Sequence, residues 1–299
     1  MKRLATAIVA VALIGTPAVA ADMAVKAPPL PPPPSWTGFY FGANAGYGWR
    51  GSSQPGFTAN DPYANALLTA VGPPPFSLIP GGQPLASPAG RLQGGFGGLQ
   101  AGYNWQVNQL VVGVEADIQG SSIHENASAS VVVAQPSLIA TTSTDQQLRW
   151  FGTARARLGF LPTSNWLLYG TGGFAYGKID EHVNVGFSGV DPGGTLLALG
   201  PGGGVGSFCV IPVRPQAASC FVGTSSRTAS GWTAGAGTEW MVSRNITFKA
   251  EYLYVRLGGD SFNVVTQVPF PGSTPSSFRA SWGANNFNLV RVGFNYIFN

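Results

Sequence analysis

The chain has 299 residues, of which 44% are hydrophobic, 12% aromatic and only 9% charged. An ordinary soluble domain carries roughly 25% charge, and a disordered chain is charged and poor in aromatics, so both classes fit badly. The 42 glycines also argue against a helical enzyme, since each would cost a helix about 1 kcal/mol. Many short strands joined by Gly- and Pro-rich turns fit better.

The amino end reads as a secretory leader. Lys2 and Arg3 precede an apolar run from Leu4 to Ile14, and Ala18-Val19-Ala20 supplies a small-residue cleavage site between Ala20 and Ala21. The apolar run is shorter than the ~20 residues of a spanning helix. Loss of Lys2 and Arg3 takes the formal charge from +4 to +2. No Lys/Arg run follows the leader, which excludes a nucleic-acid partner. Residues 21–37 form a Pro-rich lead containing Pro28-Pro29-Leu30-Pro31-Pro32-Pro33-Pro34, the composition of a stiff polyproline II spacer.

From Gly38 to the end, eight segments alternate apolar with small or polar residues, at 38–50, 94–106, 110–122, 146–160, 166–178, 229–242, 246–258 and 286–298. Alternation of this period marks strands with two unlike faces. Tight gaps (107–109, 161–165, 243–245) alternate with long ones (51–93, 123–145, 179–228, 259–285). The predicted fold is therefore all-β: an eight-stranded antiparallel up-and-down transmembrane barrel over 38–299, with short periplasmic turns and four long extracellular loops.

The two faces differ in kind. In the last segment Val290, Val292, Phe294, Tyr296 and Phe298 share one parity, and Arg291, Gly293 and Asn295 the other. Eight charged residues share the small face: the acids Glu115, Asp117, Glu239 and Glu251, and the bases Arg155, Arg157, Lys249 and Arg291. A set that sums to zero suits a confined interior, because an unpaired buried charge costs several kcal/mol. Eight strands leave a lumen just wide enough for side chains to fill.

Seven motifs in order resemble the OmpA-like eight-stranded outer-membrane proteins, in particular the alphaproteobacterial outer-membrane immunogenic group of the opacity-type porin superfamily. They begin with Trp36-Thr37-Gly38-Phe39-Tyr40, Gly102-Tyr103-Asn104-Trp105 and Gly113-Val114-Glu115-Ala116-Asp117. Gly152-Thr153-Ala154-Arg155-Ala156-Arg157-Leu158-Gly159 and Tyr169-Gly170-Thr171-Gly172-Gly173-Phe174-Ala175 follow. Gly231-Trp232-Thr233-Ala234-Gly235-Ala236-Gly237-Thr238-Glu239 and Lys249-Ala250-Glu251-Tyr252-Leu253-Tyr254 close the series. The resemblance implies an integral barrel in the bacterial outer membrane with exposed antigenic loops, a role in envelope integrity and no catalysis. Its implied partners are outer-membrane lipid, lipopolysaccharide and the barrel-assembly machinery. The family commonly ends on an aromatic residue, whereas this chain ends Phe298-Asn299, which displaces the assembly signal by one position.

Other chemistry is sparse. His124 and His182 fall just past predicted strand ends, as loop histidines, and form no triad. Two histidines and two cysteines in three places give no metal-ligand spacing, and neither a metal nor a cofactor is expected. Cys209 and Cys220 share the 179–228 segment and are expected to form a disulfide in an oxidising compartment. The expected function is a structural barrel presenting loops, with a narrow channel or a surface adhesin as alternatives.

Overall fold

The computed structural model describes residues 35–69, 83–134, 138–188, 218–267 and 275–298. The leader, its cleavage site at Ala20 and Ala21, most of the Pro-rich lead, and Cys209 lie outside the described residues.

Among the described residues, eleven strands and one short helix appear in chain order. They are β1 (Gly38–Trp49), β2 (Gly56–Ala59), α1 (Pro62–Thr69), β3 (Gln93–Val107), β4 (Leu110–Ala134), β5 (Leu138–Thr163), β6 (Trp166–Ser188), β7 (Ala218–Met241), β8 (Ile246–Leu257), β9 (Asp260–Thr266), β10 (Ser277–Trp282) and β11 (Asn285–Phe298). All eleven strands belong to one antiparallel sheet. Its pairings run β1–β3–β4–β5–β6–β7–β8–β11 and return from β11 to β1. A ladder that returns to its first strand has no open edge along that circuit.

The strict alternation sets which side chains face inward. On β11, Val290, Val292, Phe294, Tyr296 and Phe298 are exposed, while Arg291, Asn295 and Ile297 are buried. On β1, Phe39, Phe41, Tyr47 and Trp49 are exposed and Tyr40 and Asn44 are buried. Glycines on the inward face make room for larger neighbours. A Cβ at Gly102 would stand 2.4 Å from the Tyr40 ring, and one at Gly237 would stand 2.6 Å from the Tyr169 hydroxyl. At the β3–β4 turn, Asn108 has φ 57°, a left-handed value that Asn tolerates better than most residues.

Within the described residues the four long gaps hold regular structure. β4, β5, β6 and β7 run for 25, 26, 23 and 24 residues, against the roughly 9–11 that cross a membrane. They carry the wall into the segments expected as loops, over 123–134, 138–145, 179–188 and 218–228. The gap 51–93 contains β2 and α1, and the gap 259–285 contains β9 and β10. β9 pairs with β7, β10 with β9, and β2 with β10, which builds a cap on the extended wall. The outer face along 123–134, 138–145 and 179–188 is mostly polar, a pattern a single strand shares with a loop, and paired strands in water need no apolar face. His124 and His182 accordingly sit within β4 and β6, not in loops.

The helix has a local cause. Asp61 precedes Pro62, and its Oδ1 accepts from Ala64 N at 2.9 Å, an N-cap followed by proline in the first turn. The same carboxylate accepts from Ser277 N at 2.7 Å, tying α1 to β10. Three apolar clusters fill the protein. One joins Trp36, Tyr40, Leu167, Tyr169 and Ile297 at the short-turn end. A second includes Phe96, Ile123, Phe151, Leu253 and Phe287. A third holds the cap, with Val183, Phe187, Phe221, Phe278 and Trp282. Trp36 therefore belongs to the folded ring, although the sequence assigned it to the lead. It is fully buried, its indole Nε1 donates to Ser164 O at 3.0 Å, and its backbone N donates to Gln106 Oε1 at 2.9 Å.

Candidate functional site

Each of the eight charged residues singled out in the sequence is buried. The ladder explains how they meet. Glu115 stands opposite Arg155 across β4–β5, Glu239 opposite Lys249 across β7–β8, and Glu251 opposite Arg291 across β8–β11. Inward positions on adjacent strands converge toward the axis of the ring, so these pairs merge into one belt.

Glu115 is its hub. The carboxylate accepts from Lys249 Nζ at 2.9 Å on both oxygens, from Arg291 Nη2 at 3.1 Å, from Arg155 Nη2 and from the Tyr40 hydroxyl at 2.8 Å. Asp117 accepts from Arg155 Nη2 and Arg291 Nη1, both at 3.0 Å, and from Thr153 N and Oγ1 at 3.0 and 2.8 Å. Glu251 takes Arg155 Nη1 at 3.0 Å and Arg291 Nε at 2.6 Å. Toward the short-turn end, Glu239 accepts from Arg157 Nη2 at 2.5 Å, Thr247 Oγ1 at 2.5 Å and Asn295 Nδ2 at 2.6 Å. The Arg157 guanidinium lies 4.0 Å from the centre of the Tyr169 ring, within cation–π range.

The belt holds four acids and four bases, so its formal charge is zero. Buried ions repay their desolvation only when the geometry is good and further hydrogen bonds satisfy them; here Thr153, Thr247, Asn295 and Tyr40 supply those bonds. Sequence reasoning missed Tyr40, Asn44, Gln100 and Asn295, which extend the network by amide bonds: Gln100 Nε2 to Asn295 Oδ1 at 2.6 Å, and Asn44 Nδ2 to Gln100 Oε1 at 3.0 Å. Their signal was present, because each shares inward parity with a neighbouring belt residue. Apolar clusters lie on both sides of the belt, with Trp36 and Ile297 toward the short turns and Phe96, Phe151 and Leu253 on the other side.

Past that second cluster a further polar group crosses the interior. Arg50 bonds Asn285 Oδ1 and, at 3.1 Å, Glu125 Oε2. Gln146 Nε2 donates to Asn285 Oδ1 at 3.2 Å and to Glu181 Oε1 at 2.5 Å. Burial pushes the Glu125 carboxyl up, against the pull of Arg50. Glu125 and Glu181 lie past the predicted ends of their segments at 122 and 178, and Arg50 is the last residue of the first segment, so the sequence alone does not bring the three together.

The outer wall is the opposite of the interior. Its middle is apolar, with Leu99, Val114, Ile118, Phe174, Trp232 and Val292 exposed. A groove of about 910 Å³ indents it, floored by Ala43, Ala45 and Ala250 and walled by Trp166, Trp240 and Phe294. Beyond this band outward residues turn polar: Lys178, Asp180, His182 and Asn184 follow Phe174 and Tyr176 on β6. Asp180 accepts from Arg149 Nε and Ser226 Oγ, each at 2.6 Å. His182 stands opposite Asp145, and His124 Nδ1 lies 2.9 Å from Ser122 O. Cys220 is buried in the cap cluster.

Residues 7–298 match the family described as an outer membrane protein beta-barrel domain. The chain is 35% identical over 297 residues to a 31 kDa outer-membrane immunogenic protein of Brucella melitensis, covering 96% of each. It is 30% identical over 161 residues to a 22 kDa outer membrane protein of Rhizobium leguminosarum bv. viciae, covering 54% of this chain and 52% of that one. The outer membrane protein OprG of Pseudomonas aeruginosa superposes with a TM-score of 0.43 at 11% identity, covering 88% of this chain and 97% of that one.

Proposed function

Because the chain belongs to the outer membrane protein beta-barrel family and is an outer-membrane protein, we propose that it works as a closed, non-conducting and non-catalytic barrel. Eight strands cross the membrane, the short turns face the periplasm, and the long strands with their cap stand outside. Its role is to stiffen the envelope and to present a folded surface. Residues 1–20 are the leader removed on export.

One observation carries this reading: the belt around Glu115 together with the apolar clusters on either side of it occupies the interior with paired charge and close-packed rings. Ion passage would require separating several buried ion pairs at once, each costly to break. The test is reconstitution of the purified full chain in planar bilayers. Electrical silence at neutral pH supports the reading. Discrete single-channel steps that change on replacing Arg155 overturn it in favour of the narrow channel.

Lipid partners follow from the wall. The groove accommodates hydrocarbon chains. The cations Arg149, Lys178 and Arg256 stand just beyond the aromatic ring of Trp150, Tyr176, Trp232 and Tyr254, where phosphorylated headgroups such as those of lipopolysaccharide lie. Replacing Lys178 and Arg256 by Gln is expected to lower the lipopolysaccharide retained on mild extraction; unchanged retention removes this partner. The barrel-assembly machinery is the partner proposed for insertion.

A further inference from the structure

The β9–β10 hairpin of the cap leaves the ring at its root, the Gly258-Gly259 link between β8 and β9. Gly258 N donates to Ser230 O at 3.0 Å, and Gly258 O accepts from Arg227 Nη2 at 2.7 Å. Asp260, the first residue of β9, accepts from Ser225 Oγ at 2.6 Å and Ser261 N at 2.7 Å and pairs with Arg227 Nε at 3.1 Å. Glu181 of β6, 2% exposed, stands opposite the same Ser225 across the β6–β7 ladder. Glu181 Oε1 is bonded to Gln146, whereas Glu181 Oε2 has no hydrogen-bond partner. A buried carboxylate oxygen left without a donor beside a second carboxylate is unfavourable unless a proton sits between them.

We propose that Glu181 and Asp260 form a proton-operated clasp that holds the root of the β9–β10 hairpin against the β6–β7 wall. In the closed state Glu181 carries the proton on Oε2 and donates it to the ionised Asp260. When that proton leaves to water, two carboxylates face each other in a confined, poorly hydrated space. The root then loosens at Gly258-Gly259, opening a path from outside to the polar group around Gln146 and Asn285.

The surroundings divide the two acids in the required sense. Burial, then the Asp260 charge, raises Glu181 to about 7, with Gln146 and Arg227 opposing. Asp260 is held below the usual carboxylate range: burial pushes it up, but the hydrogen bonds from Ser225 and Ser261 and the Arg227 charge outweigh that. From the other packed elements the groups facing this site are Gln146 of β5, Arg227 of β7, and Arg50, Glu125 and Asn285 farther along the chain of bonds. Asp180 faces outward, with Arg149 and Ser226.

A carboxyl whose closed-state pKa is raised stabilises closure fully below its free value of 4.5, and that contribution fades as pH climbs through about 7. With those two values the opening equilibrium rises on the order of 50- to 100-fold between pH 5 and pH 8.5. The experiment is hydrogen–deuterium exchange of residues 258–266 in the full chain folded in detergent micelles, corrected for the intrinsic pH dependence of exchange. Heat-modifiable gel mobility reports separately that the ring is intact. The wild type is expected to show the rise, and Glu181→Gln to stay protected throughout, because its amide donates to Asp260 at every pH. A flat wild-type profile, or a Glu181→Gln profile that keeps the rise, overturns the clasp. Should Glu181→Gln fail to fold, Asp260→Asn decides: loss of the rise supports the clasp, and its persistence refutes it.

Discussion

Glu115 and Arg155 stand directly opposite each other on β4 and β5 and are joined by a buried salt bridge. The bond is one edge of a larger net, since Arg155 also reaches Asp117 and Glu251, both at 3.0 Å. Three carboxylates therefore share one guanidinium.

Removing Arg155 should be among the most damaging single changes in the wall. Arg155→Met leaves its carboxylates under-compensated in a buried space, at a cost of about 3–5 kcal/mol. Glu115→Gln added to it should recover part of that loss. Urea unfolding in micelles, followed by heat-modifiable mobility, measures both. A loss below about 1 kcal/mol in the single variant would contradict the described belt.

The outer wall should respond to charge by depth. Val292 is 64% exposed in the middle of the apolar band, and Val242 is 63% exposed at the short-turn end. Val292→Arg is expected to cost about 2–4 kcal/mol in lipid vesicles, and Val242→Arg about 0–1 kcal/mol. Equal costs at the two positions would show that the band does not sit in hydrocarbon.

Trp36 should behave as part of the ring. Trp36→Ala empties a fully buried indole site beside Tyr40 and Ile297 and is expected to cost about 3–5 kcal/mol. Trp36→Phe, which keeps the ring but loses the bond to Ser164 O, should cost about 1 kcal/mol. Both follow from equilibrium unfolding; wild-type stability in Trp36→Ala would return residue 36 to the lead.

A disulfide between Cys209 and Cys220 is expected to close a short loop against the cap and to stabilise it by about 3 kcal/mol. Thiol titration of the folded, unreduced protein should find no free thiol. Reduction should speed proteolysis near residue 220 and leave the ring's heat-modifiable mobility unchanged. Two titratable thiols before reduction would dispose of the bridge.

Residue alternation alone marked the inward and outward faces of the ring strands, and it separated Val290, Val292 and Phe294 from Arg291 and Asn295, because a strand's side chains have a period of two whatever its partners are. Composition along the chain also exposed the zero-sum charge set. Neither reached the cap. The outer parts of β4 to β7 carry Ser, Thr and Asn on their outer faces, which one strand shares with any loop. The charge in Arg50, Glu125 and Glu181 had no visible partner, since each bond spans tens to hundreds of residues.

What the amino-acid order determined, then, was local: a strand's two faces, a proline after Asp61 to start a helix, and which ions had to be kept from hydrocarbon. Register was left to the closed ladder, because alternation is unchanged when a strand slides by two residues, whereas only one alignment sets Glu115 against Arg155 and Glu251 against Arg291. The cap was likewise a tertiary outcome. Its strands are short, and they become stable only where Phe221, Phe278 and Trp282 meet across segments far apart in the chain.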